Sequence, residues 1–299
     1  MRPEALRTPD SLFEGLPGYP FAPNYIENLP GYDGLRVHYL DEGPRNAAVT
    51  FLCLHGQPAW SYLYRKMIPV FAGAGHRVIA PDLLGFGRSD KPVDEAAYTF
   101  AFHRGMLMAL IAALDLRNVV LVCQDWGGIL GLTIPPAMPD RFTRLLAMNT
   151  TIPVGQPVSE GFASWRAFNR SRPDLDIAAL FLRSQPGLSA EEAAAYAAPF
   201  PDARYKAGVR RFPELVMTDP GMPGIAEAER AVRFWREEWQ GESFMAVGML
   251  DPVLGPDVMA ALRAGIRGCP PPMGVPDGGH FVQERGDAIA RAALAAFGV

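Results

Sequence analysis

Short apolar runs separated by longer helical stretches recur along most of the chain. Residues 35–40 (LRVHYL) alternate apolar and polar, the period of a strand with one face buried. Val49 to Leu54 (VTFLCL), Val78 to Ala80 and Val119 to Cys123 (VVLVC) are continuous apolar runs, suited to strands covered on both faces. Between them, Tyr62 to Ala72 and Phe100 to Leu114 read as helices. Leu145 to Met148 and Phe244 to Val247 add two more strands, and the alanine-rich stretch Asp287 to Phe297 a closing helix. Strands alternating with helices predict an α/β fold built on a mostly parallel sheet flanked by helices.

The pattern changes after Pro153. From there to about Pro223 no strand-like run occurs, only helical pieces broken by Pro173, Pro186, Pro199, Pro201, Pro213 and Pro220. Strand-like sequence resumes at Phe244. The expected organisation is an α/β core over residues 1–153, a helical cap inserted over 154–223, and the rest of the core over 224–299.

Composition narrows the class. The chain has 299 residues, 49% of them hydrophobic and 20% charged, which suits a globular protein and is too apolar for disorder. The net charge of −4 disfavours nucleic acid, which needs a basic face. Cys53, Cys123 and Cys269 are too widely spaced for a zinc site and odd in number for a disulfide framework. No run approaches the roughly 18 apolar residues of a membrane span, and the first 30 residues hold no signal-like apolar stretch. A cytoplasmic monomer without membrane contact is the expectation. No metal or other cofactor is implied, since neither a ligand cluster nor a dinucleotide fingerprint is present.

The candidate chemistry lies at strand ends. Val122-Cys123-Gln124-Asp125-Trp126-Gly127-Gly128 follows an apolar strand and precedes the helical run Ile129 to Ala137. The paired glycines permit a tight strand-to-helix turn that thrusts its central residue up, the geometry of a nucleophile elbow. That residue is Asp125, which a helix N-terminus would keep ionised. Read blandly, it is an aspartate capping a helix. His55-Gly56-Gln57-Pro58 follows an earlier strand, where the Gln57 N–H would form an oxyanion hole with the N–H of Trp126. Near the C-terminus, Asp277-Gly278-Gly279-His280-Phe281 supplies a histidine after the nucleophile in chain order, unlike His38, His55, His76 and His103. The acid that orients it follows either Leu145 to Met148 or Phe244 to Val247. The first ends in Asn149-Thr150-Thr151, with no carboxylate, and the second reaches Asp251, with Asp257 as rival. Asp82 is assigned to the fold of its own loop.

A carboxylate nucleophile can displace a leaving group from sp³ carbon and form an alkyl ester, which a histidine-activated water then hydrolyses. Dehalogenation and epoxide opening both use this logic. A departing halide needs donors and no proton, and an indole N–H suits it. Trp126 follows the nucleophile, and Trp165 is the tryptophan of the insertion; Trp235 and Trp239 read as core packing and Trp60 lies near the oxyanion loop. A departing epoxide oxygen needs hydroxyl donors, for which Tyr196 and Tyr205 are the candidates. A non-catalytic binding protein of the same fold is the reading from a third class.

The sequence resembles haloalkane dehalogenases of the α/β-hydrolase superfamily, and looks closest to the subfamily typified by the 1,2-dichloroethane-degrading enzyme. The likeness runs through nearly the whole chain and includes residues 60–69 (WSYLYRKMIP), 124–128 (QDWGG), 196–201 (YAAPFP), 254–259 (LGPDVM) and 279–284 (GHFVQE). It implies hydrolysis of a small haloalkane with water to a primary alcohol and halide, with Asp125 as nucleophile, Asp251 and His280 completing the triad, and Trp126 and Trp165 binding halide. It also implies an apolar pocket lined by Ile129, Phe162, Phe212, Pro213, Val216, Val253 and Leu254. Two positions depart from the type member: Gln57 stands for Glu and Ile129 for Phe, which bears on the hydrolytic water and on the substrate preferred.

Overall fold

The computed structural model describes residues 4–299. Its central sheet has eight strands: β1 (Asn24–Ile26), β2 (Val37–Glu42), β3 (Thr50–Leu54), β4 (Arg77–Pro81), β5 (Val119–Gln124), β6 (Phe142–Met148), β7 (Glu242–Gly248) and β8 (Met273–Val275). Across the sheet they lie in the order β8-β7-β6-β5-β3-β4-β2-β1. Only β2 breaks the parallel run, pairing antiparallel with both β1 and β4. Every residue of β3 and β5 is buried, as their unbroken apolar runs require. The registers Leu54↔Cys123 and Gln124↔Met148 bring the ends of β3, β5 and β6 to one edge, where the loops that follow them meet. Ligand sites of open α/β sheets form at this carboxyl edge.

Ten α-helices among the described residues complete the fold: α1 (Ile68–Gly73), α2 (Phe100–Ala113), α3 (Trp126–Gly131), α4 (Glu160–Arg170), α5 (Ile177–Ser184), α6 (Ala190–Ala197), α7 (Ala207–Leu215), α8 (Ile225–Arg233), α9 (Pro256–Ala264) and α10 (Gly286–Phe297). Every regular element between β6 and β7 is helical. These helices have local start signals between the prolines. Ser159 caps α4, Asp176 caps α5, and Ser189 with Glu192 forms a capping box on α6.

Three helical boundaries differ from the sequence pattern. The stretch Tyr62 to Ala72 is a 3₁₀ turn, Ser61–Tyr64, followed by α1, whose first turn contains Pro69. The run Ile129 to Ala137 begins earlier, at Trp126, and stops at Gly131, because Pro135 has no N–H for the Gly131 carbonyl. The run Ala228 to Trp239 begins at Ile225 and ends in a π turn, Phe234–Glu238. The three-residue strands β1 and β8, and the two-stranded ribbon of Ala5–Leu6 with Lys91–Pro92, are too short to carry a period. No helix among the described residues is long and apolar enough to cross a membrane, and the three cysteines are buried thiols.

Candidate active site

The strand β5 delivers Asp125 into a turn of φ 51° and ψ −125°, sparsely populated for a residue with a side chain. Such a conformation costs on the order of 1–3 kcal/mol and persists where the surroundings enforce it. Here the Asp125 N–H donates to the Asn149 carbonyl at 3.0 Å, and its own carbonyl accepts from the Thr150 hydroxyl at 2.8 Å. Glycine is needed at the next two positions because a Cβ on Gly127 would strike the Leu54 carbonyl and one on Gly128 the Thr150 side chain. Asp125 is thus the residue before α3, yet its side chain makes no cap bond to that helix as the bland reading expects.

The carboxylate is held from two sides by backbone. The Gln57 N–H donates to Asp125 Oδ1 at 2.8 Å, and the Trp126 N–H, next along the chain, favours the charged carboxylate. Burial pushes the Asp125 carboxyl above its ordinary value, while the charge of His280 and these two N–H groups pull it back part of the way. His55 braces the Gln57 loop: its Nδ1 lies 2.8 Å from the Gly56 carbonyl and its Nε2 accepts the Leu83 N–H at 2.9 Å.

His280 faces Asp125. Its Nε2 lies 3.6 Å from Asp125 Oδ2, and its Nδ1 lies 2.8 Å from Asp251 Oδ2. Burial alone would lower the imidazole pKa. The charge and hydrogen bond of Asp251, and then the charge of Asp125, outweigh it and raise the value to about 9. Asp251 is 6% exposed and also accepts from Asn149 Nδ2 at 2.9 Å and from the Val253 N–H at 2.8 Å. Burial would raise its pKa, but His280 and these donors hold it below the ordinary carboxylate range. Asp257 is exposed on the first turn of α9 and, among the described residues, has no bond to His280. Asp82 is buried beneath the site, bound to His38 Nδ1 at 2.7 Å and to the N–H groups of Ser61 and Arg88 at 2.7 and 2.8 Å, so it does serve its own loop.

Two supporting residues went unread in the sequence. Asn149 fills the alternative acid position, and its amide holds Asp251 while its Oδ1 accepts the Gly248 N–H at 2.8 Å. Gln124 Nε2 lies 3.1 Å from both His280 Nε2 and the His280 carbonyl, fixing the ring from the end of β5. The available signal was a polar residue closing each of two apolar strands.

A cavity of about 890 Å³ opens above Asp125 and His280. Ile129, Phe162, Pro213, Val216, Val253 and Leu254 line it, as do Trp126 and Trp165. Phe212 does not. It is fully buried, with its ring edge-on to Trp126 at 4.8 Å, so it backs the indole and stays out of the pocket. The five tryptophans divide cleanly. Trp60, Trp235 and Trp239 are buried and donate their N–H groups to the Ala195 carbonyl, the Leu132 carbonyl and Ser243 Oγ at 3.3, 2.8 and 3.0 Å. Trp126 and Trp165 border the cavity, and neither indole N–H has an acceptor among the described residues. Tyr196 and Tyr205 are not among the lining residues; Tyr196 is fully buried with its hydroxyl on Glu284.

A family model described as the alpha/beta hydrolase fold matches residues 49–287. A haloalkane dehalogenase of Psychrobacter cryohalolentis is 44% identical over 292 residues, covering 96% of this chain and 95% of its own length. Another, from Mycolicibacterium paratuberculosis, is 40% identical and covers 97% of both. Among solved structures, the haloalkane dehalogenase DpaA of Paraglaciecola agarilytica, described as tetrameric, superposes with a TM-score of 0.97 at 54% identity. That match covers 98% of this chain and 99% of the other.

Proposed function

The chain belongs to the haloalkane dehalogenases of the α/β-hydrolase fold, and from that premise we propose which residues carry the reaction and in what order. Asp125 attacks the halogen-bearing carbon, the carbon–halogen bond breaks, and the halide leaves into the N–H groups of Trp126 and Trp165. The two cavity-lining tryptophans whose indole N–H groups have no acceptor among the described residues are the observation that carries this assignment. They suit a leaving group that needs hydrogen bonds and no proton, in a cavity whose walls are mainly apolar.

The second half-reaction frees the ester. His280, oriented by Asp251, takes a proton from water, whose oxygen bonds to the Asp125 carboxyl carbon. Negative charge develops on the carboxyl oxygen, within reach of the Gln57 and Trp126 N–H groups. Collapse breaks the bond from that carbon to the alkoxy oxygen, His280 returns the proton, and a primary alcohol departs. Alkylation itself prepares the base. It removes the Asp125 charge, one of the influences that keep a proton on His280.

We place the division between core and cap at residues 1–153 and 224–299 against 154–223, with the cavity between them. The site needs no second chain, because nucleophile, base, acid and both indoles all come from one chain; the relative described as tetrameric does not support the expected monomer. Three unpaired thiols suit the cytoplasm. The His280→Ala variant tests the order of steps. It is expected to release about one halide per enzyme and stop, with the alkyl group found by mass spectrometry on Asp125. Multiple turnover with an unmodified Asp125 would contradict the assignment.

A further inference from the structure

An α-helical carbonyl accepts the N–H of the residue four positions on, so a proline inside a helix leaves one carbonyl without its partner. In α7 the proline is Pro213 and the carbonyl is that of Val209, a fully buried residue. Two side-chain amides take the place of the missing N–H. Gln57 Nε2 donates to the Val209 carbonyl at 2.9 Å and Asn169 Nδ2 donates to it at 3.2 Å. Both amides are themselves buried, at 4% and 2% exposure.

The two donors come from different parts of the site. Gln57 sits on the loop after β3, and its own N–H holds the nucleophile's carboxylate. Asn169 lies on α4 one turn beyond Trp165, on the same face of that helix. The same turn of α7 carries Phe212, which backs Trp126. One carbonyl therefore joins the oxyanion loop to the helix that bears the halide-binding indole.

We infer that Gln57 and Asn169 are positioning residues that, through the Val209 carbonyl freed by Pro213, set the oxyanion hole and the halide site as one unit. The inference rests on the halide and oxyanion roles proposed above. It also gives the neutral residue at position 57 a reason: an amide donates to a carbonyl, and a carboxylate there would repel it.

The test replaces Asn169, which touches neither substrate nor reacting atoms. In Asn169→Ser, halide affinity read by indole fluorescence and the single-turnover rate of ester hydrolysis are both expected to fall, each by roughly three- to tenfold, the scale of one hydrogen bond. Gln57→Met, which keeps the backbone N–H, should lower the same two quantities from the other side and covers the case in which Asn169→Ser does not fold. Pro213→Ala separates positioning from mere satisfaction of a buried carbonyl, because it restores an in-helix N–H for Val209. The inference expects no rescue when Pro213→Ala is added to either variant. Rescue, or a lower melting temperature with both functional readouts unmoved, overturns it. A parent enzyme whose fluorescence ignores halide, or responds equally in Trp165→Phe, would instead refute the halide assignment and the inference with it.

Discussion

Asp125 and His280 set one another's protonation, and the catalytic cycle changes that relation. The free enzyme holds His280 protonated up to about pH 9, because Asp251 and Asp125 together outweigh its burial. An imidazolium cannot take a proton from water. Once Asp125 is an ester its charge is gone, and the His280 pKa drops below its free-enzyme value. Ester hydrolysis should therefore rise with pH and level off above the His280 pKa of the alkyl-enzyme, itself below 9. Alkylation has the opposite partner: it needs ionised Asp125 and is lost as pH falls through that residue's raised pKa. Single-turnover measurements of halide release and alcohol formation across the pH range separate the two limbs. A hydrolysis rate that is flat, or falls as pH rises, would contradict His280 as the base.

The elements explain which tryptophans can act. Trp165 projects from α4 into the cavity, whereas Trp235 sits in the π turn after α8 with its N–H on the Leu132 carbonyl. A hydrogen bond to a charged group contributes roughly 1.5–3 kcal/mol, so Trp165→Phe should slow carbon–halogen cleavage by about one to two powers of ten. Trp235→Phe should leave halide affinity near the parent value, as stopped-flow fluorescence would show; equal effects from both substitutions would remove Trp165 from the site. The elements also show what the sequence could reveal. Strands β3 and β5 were legible because burial on both faces imposes continuous apolar runs, and the elbow because a tight turn there requires glycines after Asp125. The roles of Asn149, Gln124 and Asn169 were not. Each acts through a side-chain amide on a residue at least 40 positions away, which no local period records. Phe212 was misplaced for the same reason: neighbouring Pro213 reaches the cavity, while Phe212 turns to the back of Trp126.

At the scale of the whole molecule, an ion cluster ties the helices between β6 and β7 to the segment that carries His280. Glu284, four residues after His280, receives both arms of Arg65 at 2.6 and 2.8 Å and Lys66 at 2.8 Å. Arg65 also reaches Glu192 of α6 at 2.6 Å, and Tyr196 of the same helix bonds Glu284. The side chains of Arg65 and Glu284 are 2% and 1% exposed. Removing one partner from a buried charged pair costs about 3–5 kcal/mol, so Glu284→Gln should lower the melting temperature by roughly 10 °C. A calorimetric melting temperature unchanged within error would show that the cluster does not hold these helices to the sheet. The same cluster accounts for Tyr196, whose hydroxyl is committed to Glu284 outside the cavity and offers nothing to a departing oxygen.

The central claim, a covalent ester on Asp125 cleaved at its carboxyl carbon, makes one demand on oxygen atoms. In a single turnover in ¹⁸O-labelled water with enzyme in excess, the oxygen delivered to the alcohol is one that Asp125 already carried, and the label enters the Asp125 carboxylate. Mass spectrometry of the peptide containing Asp125 should show the added ¹⁸O, and the first-turnover alcohol should be unlabelled. Labelled alcohol with an unlabelled Asp125 would mean that water attacks the substrate carbon directly, and the account would fall.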